Sequence, residues 1–126
     1  GGRDYKDYDG LFSICNRVLA EVNNIEIVHG GQSTYDDVNK VRYGTDYFAE
    51  RYAQEMGFQM TVFNADWDRH GKKAGPIRNK EMAQYGEALI AFWDGKSKGT
   101  KNMIAEARKL ELPVRVIKYE QLPVEK

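Results

Sequence analysis

Four short apolar runs constrain this chain more than anything else in it. IEIVH (25–29), QMTVFNA (59–65), ALIAFW (88–93) and VRVIKY (114–119) are separated by stretches of helical periodicity. Leu11, Ile14, Cys15, Val18, Leu19 and Val22 recur at steps of three and four, which predicts an amphipathic helix ended by Asn23-Asn24. Phe48, Ala49, Tyr52, Ala53 and Met56 predict a second, with Thr45 or Asp46 as N-cap and Gly57 as its stop. A third is expected from about Ile77 to Tyr85, because Gly71, Gly75 and Pro76 oppose helix in the polar loop before it. A fourth is expected over 99–111, capped by Thr100. The strands are continuous apolar runs rather than alternating ones, as in a parallel sheet covered on both faces. With right-handed crossovers this gives an α/β, Rossmann-like three-layer sandwich with a mainly parallel sheet. One domain, 1–126, is expected. Gly1-Gly2-Arg3-Asp4 sits where a loop after a first strand belongs, yet no strand precedes it: either Gly1-Gly2 is a remnant foreign to the fold, or the first strand of the sheet is missing from the chain.

The longest apolar run, Ala88 to Trp93, is far too short to cross a bilayer. No basic-then-apolar leader opens the chain, and Cys15 stands alone, which excludes a disulfide framework. A reducing compartment, the cytoplasm, is the expected location. A net charge of zero argues against a nucleic-acid coat or a polybasic membrane binder. The charge is unevenly spread, however. Arg69, Lys72, Lys73, Arg78, Lys80, Lys96, Lys98 and Lys101 are met in that interval only by Glu81, Glu87 and Asp94.

In doubly wound folds ligands sit at the carboxyl ends of the strands. Four segments rich in glycine fall there: Gly1-Gly2-Arg3, His29-Gly30-Gly31, the 65–76 loop, and 94–100 with Gly99-Thr100. Glycine lets backbone approach a ligand, and helix N-termini offer free N–H groups to an anion. Two of the four segments lie in the basic interval, so phosphate is the expected guest. The candidate ligand-binding residues are Gly1, Gly2, Arg3, Gly30, Gly31, Thr45, Asp46, Lys72, Lys73, Arg78, Lys80, Gly99 and Thr100. Arg78 leads them, because its planar fork matches phosphate and a cation early in a helix opposes the dipole unless an anion is bound. Asp46 either binds ribose hydroxyls or caps its helix, and Trp67 and Trp93 either border a base or pack. There is no GxxxxGK[ST] and no well-placed GxGxxG. His29, His70 and Cys15 lack a metal-site spacing, and Ser13, Ser33 and Ser97 lack a nucleophile-elbow context, so neither a metal, a cofactor nor acyl transfer is expected.

The blocks GGRDY, IVHGG, GTDYFAERYA, FNADWDRHGKKAGPIRNKEM and ALIAFWDGKSKGTKNMIAEARKLELPVRVI together resemble the SLOG superfamily, most closely its small standalone family from bacteria and phages. The resemblance implies a first strand that ends in Gly1-Gly2-Arg3, so the loss of that strand is the expected alternative, and it implies a nucleotide-related ligand. It covers lonely-guy-type phosphoribohydrolases, which cleave a base from a nucleoside monophosphate, and sensor domains for NAD-derived or ADP-ribose-like signals. Those enzymes carry Pro-Gly-Gly-x-Gly-Thr-x-x-Glu; this chain keeps Gly99-Thr100 but has Met103 where the catalytic Glu is placed. A thioether is neither acid nor base, so binding without catalysis is expected. A phosphoribohydrolase with its acid moved to Glu106 or Glu81 is the alternative, and a nucleic-acid accessory protein is a third reading. The resemblance also marks 32–43, QSTYDDVNKVRY, as an insertion at the ligand rim, either a surface loop or a lid whose Tyr35 or Tyr43 stacks on a base. The expected partners are a nucleotide-derived small molecule and further copies of the chain, not a membrane; nucleic acid is disfavoured.

Overall fold

A computed structural model describes residues 1–120; residues 121–126, included in the expected domain, lie outside the described residues. The elements run α1 (Tyr8–Val18), β1 (Glu26–His29), β2 (Thr34–Asp36), β3 (Val41–Tyr43), α2 (Thr45–Met56), β4 (Gln59–Val62), α3 (Trp67–His70), a 3-10 turn (Gly71–Lys73), α4 (Ala74–Tyr85), β5 (Leu89–Trp93), α5 (Lys98–Lys109) and β6 (Val114–Lys118). β1 pairs with β4 and β5 with β6, both parallel, with Ile27 beside Met60 and Ala91 beside Val116. The four apolar runs are therefore the four parallel strands, and the architecture is the expected mixed α/β, Rossmann-like one.

Strand alternation sends neighbouring side chains to opposite faces. Ile90 and Phe92 enter a cluster with Tyr5, Tyr8, Leu11, Cys15, Phe48 and Tyr52, beneath α1 and α2. Ala91 faces the other way, where α5 packs on β5 and β6 and α4 packs on α5. The cluster is largely aromatic. Tyr5 meets Phe92 at a centroid distance of 4.8 Å, and Phe12 meets Tyr52 edge-on at 5.5 Å. Buried tyrosines need a partner for the hydroxyl. Tyr52 donates to Asn16 Oδ1 and Tyr8 to Glu55 Oε2, each at 2.7 Å, and Tyr119 donates to Asp4. Burial raises the Cys15 thiol to about 11, so it stays protonated as a small core residue.

Several local expectations are corrected. α1 ends at Val18, not at Asn23, and Val22 is half exposed beyond it. The N-cap of α2 is Gly44, without a side-chain cap bond; Thr45 Oγ1 instead donates to the Gly2 carbonyl. Ser97, not Thr100, caps α5, accepting from the Thr100 amide. The 67–76 stretch is helical after all. Asp66 caps α3, Gly71 at φ +55° allows the turn out of it, and α4 begins at Ala74. Pro76 is tolerated because it falls in the first turn, where its missing N–H has no intrahelical partner to lose. Residues 32–43 hold an antiparallel hairpin, Thr34 opposite Tyr43. Asp36 Oδ1 accepts from the Val38 and Asn39 amides at its bend.

Candidate functional site

The site is built outward from Arg78. The earlier start of α4 puts Arg78 in its second turn, past the helix end where the dipole argument holds. Its side chain is only 7% exposed, and its contacts are inward. Nη1 donates to Gly30 O at 2.7 Å and to Phe63 O at 3.3 Å, and Nε donates to Asn79 Oδ1 at 3.0 Å. The guanidinium thus ties together the chain just beyond β1 and just beyond β4. The two-pronged grip on phosphate expected from the fork is replaced by this tether. Only Nη2 is left without a hydrogen-bond partner among the described residues. Gly30 makes the tether possible, since a Cβ there would collide with Nη1. Desolvation pushes the Arg78 pKa down, and the nearby Asp46 carboxylate opposes that.

Asn79, 5% exposed, extends the network to the next helix. Its Nδ2 donates to Gly99 O at 3.2 Å and to Asn102 Oδ1 at 3.0 Å. The amino-terminal turn of α5 is thereby fixed against α4. The approach to that turn is fixed as well. Asp94 Oδ1 accepts from the Lys96 and Ser97 amides, which hold its carboxyl below the usual range.

Between these parts lies a cleft of about 370 Å³ at the carboxyl ends of the strands. One wall is the opening of α5, Ser97 to Thr100, with Asn102 and Met103. A second is α4 with Arg78, Asn79 and Met82, fronted by Lys72 and the half-exposed Trp67. The third carries Gly1, Arg3, Gln32 and Asp46. A Cβ on Gly99 would meet no atom within 4 Å, so the α5 backbone is open on that side. The cations Arg3, Lys72, Arg78 and Lys98 face one carboxylate, Asp46, whose Oδ2 accepts the Gln32 amide at 3.2 Å.

Of the residues nominated from sequence, Gly1, Arg3, Asp46, Lys72, Arg78, Gly99 and Thr100 line this cleft. Gly2, Gly30 and Thr45 stand behind its wall. Gly2 donates to Phe92 O and accepts from Thr45, and a Cβ on it would strike the Tyr119 hydroxyl. Gly31 lines a smaller neighbouring cleft instead. Lys73 and Lys80 are exposed and outside both clefts. Trp93 is also outside them, donating Nε1–H to Ser97 O at 3.0 Å. Neither Tyr35 nor Tyr43 lines a cleft: Arg42 lies over the Tyr35 ring, and Tyr43 packs on the core with Lys6 above it. Met103 lines the cleft, whereas Glu106 pairs with Lys109 and Glu81 is exposed, both away from it. Sequence reasoning missed Lys98, Asn79, Asn102 and Gln32. Lys98 was legible as a cation opening a helix beside Gly99-Thr100. The asparagines carry no local signature.

A Rossmann-like α/β chain with a cationic, glycine-bordered cleft at its strand ends is the class so defined. The chain belongs to the YspA, cpYpsA-related SLOG family, whose model matches residues 1–70. It is 36% identical over 121 residues to the Gene 61 protein of Mycobacterium phage D29, an alignment covering 90% of this chain and 89% of that one. No solved structure matches it. The family match spans the Arg3–Gln32–Asp46 wall and Trp67, and the wall made by α4 and α5 lies beyond it. Among the described residues, no helix is long and apolar enough to cross a membrane.

Proposed function

We propose that the larger cleft binds a phosphorylated, ribose-containing nucleotide derivative of the ADP-ribose kind and holds it without cleaving it. The observation that carries this reading is the arrangement around the opening of α5. Its first amides, the Lys98 ammonium, Lys72 and the unpartnered Nη2 of Arg78 border one space. Helix-terminal N–H groups with cations beside them suit phosphate. Asp46, on the facing wall, is an acceptor suited to ribose hydroxyls, and Trp67 offers an exposed aromatic face for a base. Met103 stands where hydrolysis of an N-glycosidic bond would need an acid, and neither Glu106 nor Glu81 reaches the cleft. A binder of this kind senses or sequesters a nucleotide signal, and the phage origin of the 36% identical relative suits sequestration. A homo-oligomer is part of the proposal, and light scattering checks it.

The test is a thermal-shift screen with nucleoside monophosphates, NAD, ADP-ribose, cyclic ADP-ribose isomers and cyclic dinucleotides, each hit being recovered after incubation and analysed by chromatography. A stabilising ligand recovered intact is the expected result. Recovery as free base and ribose phosphate would replace the reading with a phosphoribohydrolase, and no stabilisation by any of the panel would remove it.

A further inference from the structure

On the other side of the Gly31-Gln32 segment is a second cleft, about 190 Å³, lined by His29, Gln32, Ser33, Glu50 and Asn64 among others. His29 is its unusual member. The ring is 5% exposed, and Nδ1 accepts the Gly31 amide at 3.0 Å. A neutral ring with Nδ1 accepting carries its proton on Nε2. That Nε2 is the one buried side-chain polar atom without a hydrogen-bond partner among the described residues. Its nearest carboxylate oxygen, Glu50 Oε1, is 3.9 Å away, too far for a hydrogen bond. Buried polar groups are ordinarily paired, so a lone buried donor facing a cleft marks a place for an acceptor.

The geometry narrows the guest. An oxygen about 2.8 Å from both Nε2 and Oε1 would close the 3.9 Å gap between them. It must accept from the imidazole N–H and donate to the carboxylate at once, which a hydroxyl does and a phosphate or carboxylate oxygen does not. The lining repeats the argument, with neutral side chains from Gln32, Ser33 and Asn64, one carboxylate, and no lysine or arginine. An anion would be repelled there, in contrast to the larger cleft. At about 190 Å³ the cleft has room for a group larger than one solvent molecule.

We infer that the smaller cleft is a sugar-hydroxyl subsite, in which His29 Nε2–H and the Glu50 carboxylate hold one hydroxyl of a pentose between them. Gln32 lines both clefts, which puts them on either side of one residue; a ligand that reaches around it, with its phosphate in the larger one, would place a ribose in the smaller. The phosphate half of that picture rests on the proposed function; the sugar half does not. Burial keeps the His29 pKa low, although Asp46 and Glu50 pull it up, so at neutral pH the ring is neutral and Nε2 still donates.

The test uses ring ¹⁵N NMR of the full chain, whose two histidines, His29 and His70, are readily told apart by substitution of His70. Titration with D-ribose is expected to shift the His29 signals saturably and leave His70 unmoved. ADP-ribose is expected to do the same to His29 at lower concentration. Glu50 is partly exposed and makes no hydrogen bond of its own, so Glu50→Ala keeps the fold; it is expected to weaken the D-ribose response roughly tenfold or more. A His29 signal indifferent to D-ribose at high millimolar concentration, or an equal response in Glu50→Ala, overturns the inference, the notch then holding water only. AMP binding with a silent His29 in every titration would overturn it while sparing the phosphate cleft. A His29 response to D-ribose without any nucleotide binding would uphold the sugar subsite and remove the phosphate reading.

Discussion

Two segments border the larger cleft with similar raw material, and the fold treats them oppositely. Residues 67–82 and 32–43 are both polar, aromatic-bearing and rich in charge. The first buries its key polar groups. Arg78 and Asn79 join the ends of β1 and β4 to the opening of α5 through five hydrogen bonds. The second keeps largely to itself. Its bonds run from Asp36 to its own turn and from Arg42 to Ser33, and Val38 at the tip is 89% exposed. Its outside hydrogen bonds are Thr34 Oγ1 to Arg3 O and the Gln32 amide to Asp46, and Tyr43 alone packs on the core with Lys6 above it. Water can replace the partners of an exposed polar group but not those of a buried one. Geometry at the cleft should therefore depend steeply on the first segment and weakly on the second.

The steepest test is Arg78→Ala. It strands the Gly30 and Phe63 carbonyls and Asn79 Oδ1, and should cost roughly 3 kcal/mol or more in urea unfolding. A loss below 1 kcal/mol would mean that the tether is not what holds the strand ends. Asn79→Ala should come next, at about 2 kcal/mol, because Gly99 O and Asn102 lose their donor while Arg78 keeps its carbonyl partners.

A pH series probes the wall between the two clefts. His29 ionises less readily folded than unfolded, so the unfolded chain takes up the proton first. Its contribution is complete above the ordinary value of 6.5 and fades as pH falls through that value towards the lower folded one. A second, separate decline belongs to Glu26, Glu55, Asp36 and Asp94, all held below their ordinary values by hydrogen bonds, and starts near the ordinary carboxylate range. Urea midpoints between pH 7.5 and 5.5 should fall in the parent and flatten in His29→Gln; equal slopes would assign the loss elsewhere.

The smallest effect is expected in the hairpin. Val38→Ser should change stability by no more than about 0.5 kcal/mol. A larger loss would show that the hairpin tip packs on something, and the contrast between the two segments would soften.

The parallel strands were legible because each is a continuous apolar run, and α2 because Gly57 ends it in the left-handed region at φ +70°. The hairpin was not. Its strands are three residues long and none of their residues is fully buried, and its turn depends on Asp36 side-chain bonds and on Lys40 at φ +58°, which a lysine does not advertise. The 67–76 stretch misled because glycine and proline were weighed by type, whereas their cost depends on position: Gly71 separates two helical pieces and Pro76 sits in a first turn. At the site, glycines and cations could be read as phosphate chemistry. The inward commitment of Arg78 could not, since it follows from where Gly30 and Phe63 lie in space. The Asn79–Asn102 contact likewise exists only because α4 packs on α5.

Because Arg78 is part of the frame, the binding claim is best tested at residues that line the cleft but hold nothing up. Lys72 and Lys98 are both exposed there. Calorimetric titration of ADP-ribose into the parent and into Lys72→Ala/Lys98→Ala is the direct measurement. The account predicts saturable binding to the parent, at least roughly tenfold weaker in the double variant, with unfolding midpoints unchanged. Equal affinity in both proteins, or no binding to the parent, would contradict it.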